Sequence, residues 1–158
     1  MNYGYCRQAL RINLSEGSVK NENLSEDFLK DYLGGRGLNV RRLYDEVPPE
    51  VDPLSKENKV FIAVGPLTGT LFPGGARVNS TAKSPQTGIL GDSNTGGFFG
   101  PELKFAGYDQ LILEGKADEL SYIFINNDQV EIRSAEKLKG KDVFETQKMI
   151  KDEVGDPR

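Results

Sequence analysis

The sequence has no histidine, a single cysteine (Cys6), and no apolar run longer than "VFIAV" at Val60–Val64. Without histidine the chain lacks the commonest general base, the usual partner of a nucleophilic serine or cysteine, and most transition-metal sites. Self-contained hydrolase chemistry is thereby disfavoured. One cysteine forms no internal disulfide and cannot alone hold zinc or an iron–sulfur cluster. Five apolar residues cannot span a bilayer, and "MNYGYCRQALRINL" has no apolar core of a secretory signal. The chain reads as cytoplasmic, and its three Asn-x-Ser/Thr sequons (Asn13, Asn23, Asn79) read as chance. A basic excess is missing too: 20 Lys and Arg are scattered among 24 Asp and Glu, for a net charge of −4. That balance argues against a nucleic-acid partner.

What is present suffices for one core: 158 residues, of which 37% are apolar. "ALRINL" (9–14), a turn at "SEGS" and "VKNENL" (19–24) predict a hairpin. Ser25 is a helix N-cap, Phe28, Leu29, Tyr32 and Leu33 share a face, and Gly34–Gly35 stops the helix. A second helix runs through "LNVRRLYDEV", with Val40, Leu43, Tyr44 and Val47 on one side, and closes at Pro48–Pro49. A buried strand follows at Lys59–Val64. Next, "ARVNSTAKSP" predicts a strand with Val78, Ser80 and Ala82 on a small-residue face. Arg77, Asn79, Thr81 and Lys83 fall on the polar one. A short helix over "FFGPELKFAG", strands at 110–115, 121–126 and 129–134, and a helix over 142–154 with Val143, Ile150 and Val154 inward complete an α+β pattern.

Glycines concentrate in two loops, Gly65–Gly75 and Gly88–Gly100, each abutting a strand end. Glycine supplies positive φ and removes the side chain between backbone and ligand. Runs of free N–H groups there could cradle an anion, with Arg77 and Lys83 adding charge-assisted bonds to the same group. Equally, such loops serve tight turns alone. Neither G-x-x-x-x-G-K-[ST] nor a G-x-G-x-x-G between strand and helix occurs. Arg36 in "GGRG" is readable as a helix-to-helix joint, and Asn94 as a residue tolerant of left-handed backbone. Glu102 and Lys104 read as solvated, and Phe98, Phe99 and Phe105 as core.

The segments "YLGGRGLN", "DPLSKENKVFIAVGPLTGT", "PGGARVNSTAKSPQTG" and "SNTGGFFGPELKFAGYD" together resemble the N-terminal domain of the tungsten-dependent aldehyde:ferredoxin oxidoreductases, over nearly the whole chain. The resemblance implies an α+β domain of two related β-rich halves. It also implies the base on which a tungsten (or molybdenum) ion held by two pterins rests, the pterin phosphates joined through magnesium. Carried over residue by residue, Arg77 contacts a pterin, Asn94 contacts the cofactor and gives its backbone carbonyl to magnesium, and Gly96 touches a pterin. Gly97 and Lys83 are adjacent cofactor-binding candidates. The family's [4Fe–4S] ligands and substrate pocket are absent from this sequence, so no catalytic residue is expected here. The whole enzyme oxidises an aldehyde and passes electrons to ferredoxin.

Two departures from the family pattern are Arg7–Gln8, where a glycine is usual, and Ala76, which would be strained if that position needed positive φ. Because "EVGDPR" ends just past a helix cap, 1–158 reads as a truncated N-terminal domain, docking downstream domains of its own chain and prone to self-association when isolated. "VPPEVDP", "SPQTG" and "FINNDQVEIR" also resemble tungsten subunits of aryl-CoA reductases. A non-catalytic phosphate- or pterin-binding module is the remaining alternative.

Overall fold

A computed structural model of the chain describes residues 4–156. Strands β1 (Gln8–Asn13) and β2 (Ser18–Asn23) form the expected hairpin, closed one residue early because the Asn13 carboxamide accepts from the N–H groups of Ser15 and Glu16. Helix α1 (Glu26–Tyr32) starts at Ser25, whose hydroxyl accepts from the Phe28 N–H. Helix α2 (Arg36–Glu46), strand β3 (Lys59–Val64) and strand β4 (Val78–Lys83) follow. Strand β5 (Leu90–Thr95) then precedes helix α3 (Phe99–Phe105) and strand β6 (Gln110–Glu114). The β7–β8 hairpin (Ser121–Asn126, Gln129–Ser134), a 3₁₀ turn and helix α4 (Val143–Val154) follow. Asn127 takes the left-handed turn position between β7 and β8, at φ 56°.

Six strands make one sheet in the order β2-β1-β6-β3-β4-β5, in which only β1 and β6 run parallel; β7 and β8 pair separately. The α+β expectation therefore holds. Alternation along the strands sends Ala9, Phe61, Ala63 and Ile112 under α1 and α2. On the opposite face, Leu10, Ile12, Val64, Val78 and Leu111 pack with Leu103 of α3 and with the β7–β8 hairpin.

Three expectations from periodicity fail for identifiable reasons. Within the second glycine-rich loop, "LGDSNT" is strand β5, an edge strand held by backbone pairing to β4 with no apolar alternation to announce it. On α2 the inward residues include Leu38, Asn39 and Val47, while Tyr44 is exposed. The helix lies on polar strand residues, so part of its buried side is polar. Val143 is 78% exposed, because the capping box between Asp142 and Glu145 starts α4 on the surface. Of the two sequence departures, Ala76 takes no positive φ, whereas Arg7 sits at φ 61°. Arg7 is held there by its N–H on Asp109 Oδ2 (2.6 Å) and its guanidinium on Glu26.

Beneath the C-terminal half of α2, Arg11, Arg42 and Lys59 interlock with Glu22, Glu46 and Glu114 at 2.5–3.2 Å. Burial alone would push the Glu46 carboxyl up, but hydrogen bonds from Arg11 and Lys59 outweigh it and bring its pKa to about 2. Glu22 and Glu114 are also held below the usual range, by Arg11 and by Lys59 with Arg11, against the same burial. A depressed carboxyl contributes stability that is present above its unfolded pKa, near 4.5, and lost as pH falls through the folded one. Urea unfolding is therefore expected to show stability falling between about pH 4.5 and pH 2, with Glu46 supplying on the order of 2–3 kcal/mol of the drop. Glu46→Gln should flatten that fall; an unchanged pH profile would show the cluster to be energetically idle.

Candidate functional site

The two ends of the β3–β4 loop and the segment after β5 leave the sheet at one level. In the register, Val64 of β3 is opposite Val78 of β4, and Val78 is opposite Thr95 of β5. Gly65, Arg77 and Gly96 are each one residue beyond that row, on the same edge of the sheet. Thr68, 4% exposed, clasps the two ends of the β3–β4 loop: its hydroxyl accepts from the Gly65 N–H (3.3 Å) and donates to the Arg77 carbonyl (3.4 Å). The α1–α2 joint closes on the same place. The Gly35 N–H donates to the Val64 carbonyl at 3.0 Å, and a Cβ on Gly34 would come within 2.9 Å of the Gly65 Cα.

Arg77, Asn94, Gly96 and Gly97 are all exposed along this rim. Among the described residues the Arg77 guanidinium has no protein partner; only its main-chain carbonyl is engaged. Gly97 has a backbone reason to be glycine, φ 95°. Gly96 and Gly65 do not. Neither takes a positive φ, and a Cβ on either would find nothing within 4 Å. The domain's own fold leaves their missing side chains unexplained.

Lys83 is at the other end of β4, six residues from Arg77 and thus about 20 Å away along an extended strand. Its ammonium donates to the carbonyls of Pro49 and Val51 at 2.5 and 2.6 Å, beside an apolar groove of about 640 Å³ between α2 and the β4–β5 turn. Arg77 and Lys83 therefore do not share one anion. The face of β4 read as polar is buried under α2, not open: Asn79 is 3% and Thr81 1% exposed. Lys104 is not solvated but forms a buried ion pair with Asp109. Phe98, Phe99 and Phe105 are exposed, not core.

The sequence reading missed a polar chain that runs from the core to this rim. Gln110 Nε2 donates to Asn39 Oδ1 (2.9 Å), and Asn39 Nδ2 donates to Asn79 Oδ1 (2.8 Å) and the Asn79 carbonyl (3.0 Å). Asn79 Nδ2 then reaches β5, at Asp92 Oδ1 (2.6 Å), the Ser93 carbonyl (3.2 Å) and Asn94 Oδ1 (3.3 Å). Arg36, read as a joint, also pairs with Asp92 at 2.7 Å and stays largely exposed. Burial pushes the Asp92 carboxyl up, but Asn79 and Arg36 together hold it below the usual carboxylate range. The available signal was Asn39 beside Leu38, a polar residue on the inward side of a helix otherwise read by its apolar spacing.

Among the described residues no three His, Cys, Asp or Glu side chains converge as metal ligands. The rim offers a guanidinium, carboxamides and unobstructed backbone, a donor set suited to an anionic organic group. A flat ligand laid against Gly65 and Gly96 would meet main chain directly.

The mixed sheet with helices packed on it defines an α+β domain. The chain belongs to the family described as "Aldehyde ferredoxin oxidoreductase, N-terminal domain", which matches residues 9–158. It is 52% identical over 154 residues to a tungsten-containing aldehyde ferredoxin oxidoreductase of Pyrococcus horikoshii, covering 98% of this chain and 25% of that protein. To the aliphatic sulfonate oxidoreductase, WOR-like subunit, of Pyrococcus furiosus it is 42% identical over 155 residues, covering 96% and 24%. Among solved structures, the active-site complex of benzoyl coenzyme A reductase with 1,5-dienoyl-CoA matches at TM-score 0.97 and 46% identity, over 100% of this chain and 24% of that one. The chain thus spans about a quarter of the length of these relatives. No helix among the described residues is long and apolar enough to cross a membrane.

Proposed function

We propose that this chain is the base of a tungsten (or molybdenum) bis-pterin site in an oxidoreductase that converts aldehydes to carboxylic acids. The convergence of Arg77, Asn94, Gly96 and Gly65 at one end of the sheet, the two glycines being ones that the fold itself does not require, carries the proposal. When bound, the cofactor supplies two-electron redox chemistry on an aldehyde and water; a [4Fe–4S] cluster held by downstream domains and ferredoxin would take the electrons. The residues here bind and orient. Arg77 projects a free guanidinium for charge-assisted bonds to a pterin phosphate. Asn94 gives a carboxamide donor to the pterin and its backbone carbonyl to magnesium, while Gly96 and Gly97 let the main chain approach. Lys83, turned to Pro49 and Val51, would act only at a distance.

The likeness to benzoyl coenzyme A reductase supports a second reading, in which the same base serves reduction of an aromatic thioester. The experiment is metal and pterin analysis of the full-length protein purified without oxygen, followed by assays with aldehydes and with an aryl-CoA. Tungsten and pterin with aldehyde turnover support the first reading, and thioester turnover the second. Absence of metal and pterin would leave the rim as turns or as a non-catalytic module. Arg77→Ala is expected to lower pterin content at least tenfold, with the melting temperature moved by less than about 2 °C, as for an exposed side chain without a protein partner.

A further inference from the structure

The best-anchored side chain near the rim is not one of the candidate ligands. Asn79 is 3% exposed and lies opposite Asn94 in the β4–β5 register. Its Oδ1 accepts from Asn39 Nδ2 (2.8 Å) and from the Thr81 hydroxyl (2.9 Å). On the other side the amide faces the Asp92 carboxylate and the Ser93 carbonyl, which only accept, and these fix which end of the amide is nitrogen. The amide nitrogen is therefore turned toward β5, where it meets Asp92 Oδ1, the Ser93 carbonyl and Asn94 Oδ1. Asn39 is in turn held by Gln110, which is fully buried in the central strand β6.

From this we infer that Asn79 is a positioning residue: it ties Asn94 to the core and, by donating to the Asn94 oxygen, fixes the direction of its Nδ2 as a donor presented to the bound group. The inference rests on the proposed function and deepens it, because it specifies the ligand atom. The group facing Asn94 Nδ2 is a hydrogen-bond acceptor, such as a pterin phosphate oxygen or ring carbonyl. Without Asn79 the exposed edge strand keeps its backbone pairing to β4 but loses the side-chain tie that fixes one rotamer of Asn94.

Full-length protein carrying Asn79→Ala, Asn94→Ala, both together, and Glu46→Gln tests this by pterin and metal per chain after dialysis, alongside the melting temperature. Glu46→Gln breaks the ion cluster with Arg11, Arg42 and Lys59 without touching Asn79 or Asn94, and so reports the cost of lost stability alone. Expected is about a tenfold faster loss of pterin in Asn79→Ala and in Asn94→Ala, no further loss in the double variant, and wild-type retention in Glu46→Gln at a comparable fall in melting temperature. Wild-type retention by Asn79→Ala, or losses that multiply in the double variant, would overturn the inference. If Asn79→Ala does not fold, Asn79→Ser is read by the same criteria, since its hydroxyl is too short to reach Asn94. Wild-type protein without pterin or metal would instead overturn the proposed function itself.

Discussion

Gly96→Val in the full-length protein is expected to purify folded, with stability within about 0.5 kcal/mol of wild type, and nearly free of pterin and metal. The two halves of that expectation come from separate observations. On the stability side, Gly96 is exposed, takes no positive φ, and a Cβ there meets nothing within 4 Å. A branched side chain at that position has room and a compatible backbone. On the binding side, Gly96 leaves the sheet level with Arg77 and Gly65, where a flat ligand would lie against main chain. Three added heavy atoms would hold it off by roughly the thickness of a methyl group, beyond hydrogen-bond reach of the backbone. Metal analysis and denatured-pterin fluorescence, set beside a urea melt, check both halves at once. Full cofactor content in Gly96→Val would move the binding surface elsewhere; a large fall in stability would mean the glycine serves the fold after all.

The order of elements was legible because most of them carry local signals. Ser25 and Asp142 start helices by capping, Asn127 turns a hairpin, and β1, β3 and β6 bury apolar residues. β5 was not legible. "LGDSNT" reads as a loop because nothing in an edge strand's own side chains requires a sheet; the requirement comes from β4 beside it. The arrangement of the candidate site was legible only in part for the same reason. Arg77, Asn94, Gly96 and Gly97 are near one another through register, which motif resemblance carried and spacing could not. Lys83 was grouped with Arg77 because alternation puts both on one face, but alternation says nothing of the length of strand between them. The core-to-rim chain through Asn39, Asn79 and Gln110 joins three segments far apart in sequence, and each amide alone looks like an ordinary polar residue.

Gly37→Ala should be among the most damaging single-methyl changes in the chain, costing at least about 3 kcal/mol. Gly37 is in the first turn of α2 and has no positive φ, so backbone freedom is not what the position demands. The demand is space. A Cβ there would be 2.0 Å from the Tyr32 carbonyl oxygen and 3.0 Å from its carbon, both main-chain atoms at the end of α1 that cannot rotate aside. Relief requires α1 and α2 to separate at their joint, and that joint is stapled to the sheet by the Gly35 N–H on Val64. Moving α2 would also draw Asn39 off Asn79 and Arg36 off Asp92, so the damage should reach the rim. Gly65→Ala is the contrasting change: one methyl, open space, no positive φ, and an expected shift in stability of less than about 1 kcal/mol, in the stabilising direction. Urea melts of the two variants against wild type should separate them widely. Equal stability would mean the close approach of α1 to α2 is not a constraint the sequence must respect, and that "GGRG" keeps its glycines for the rim alone.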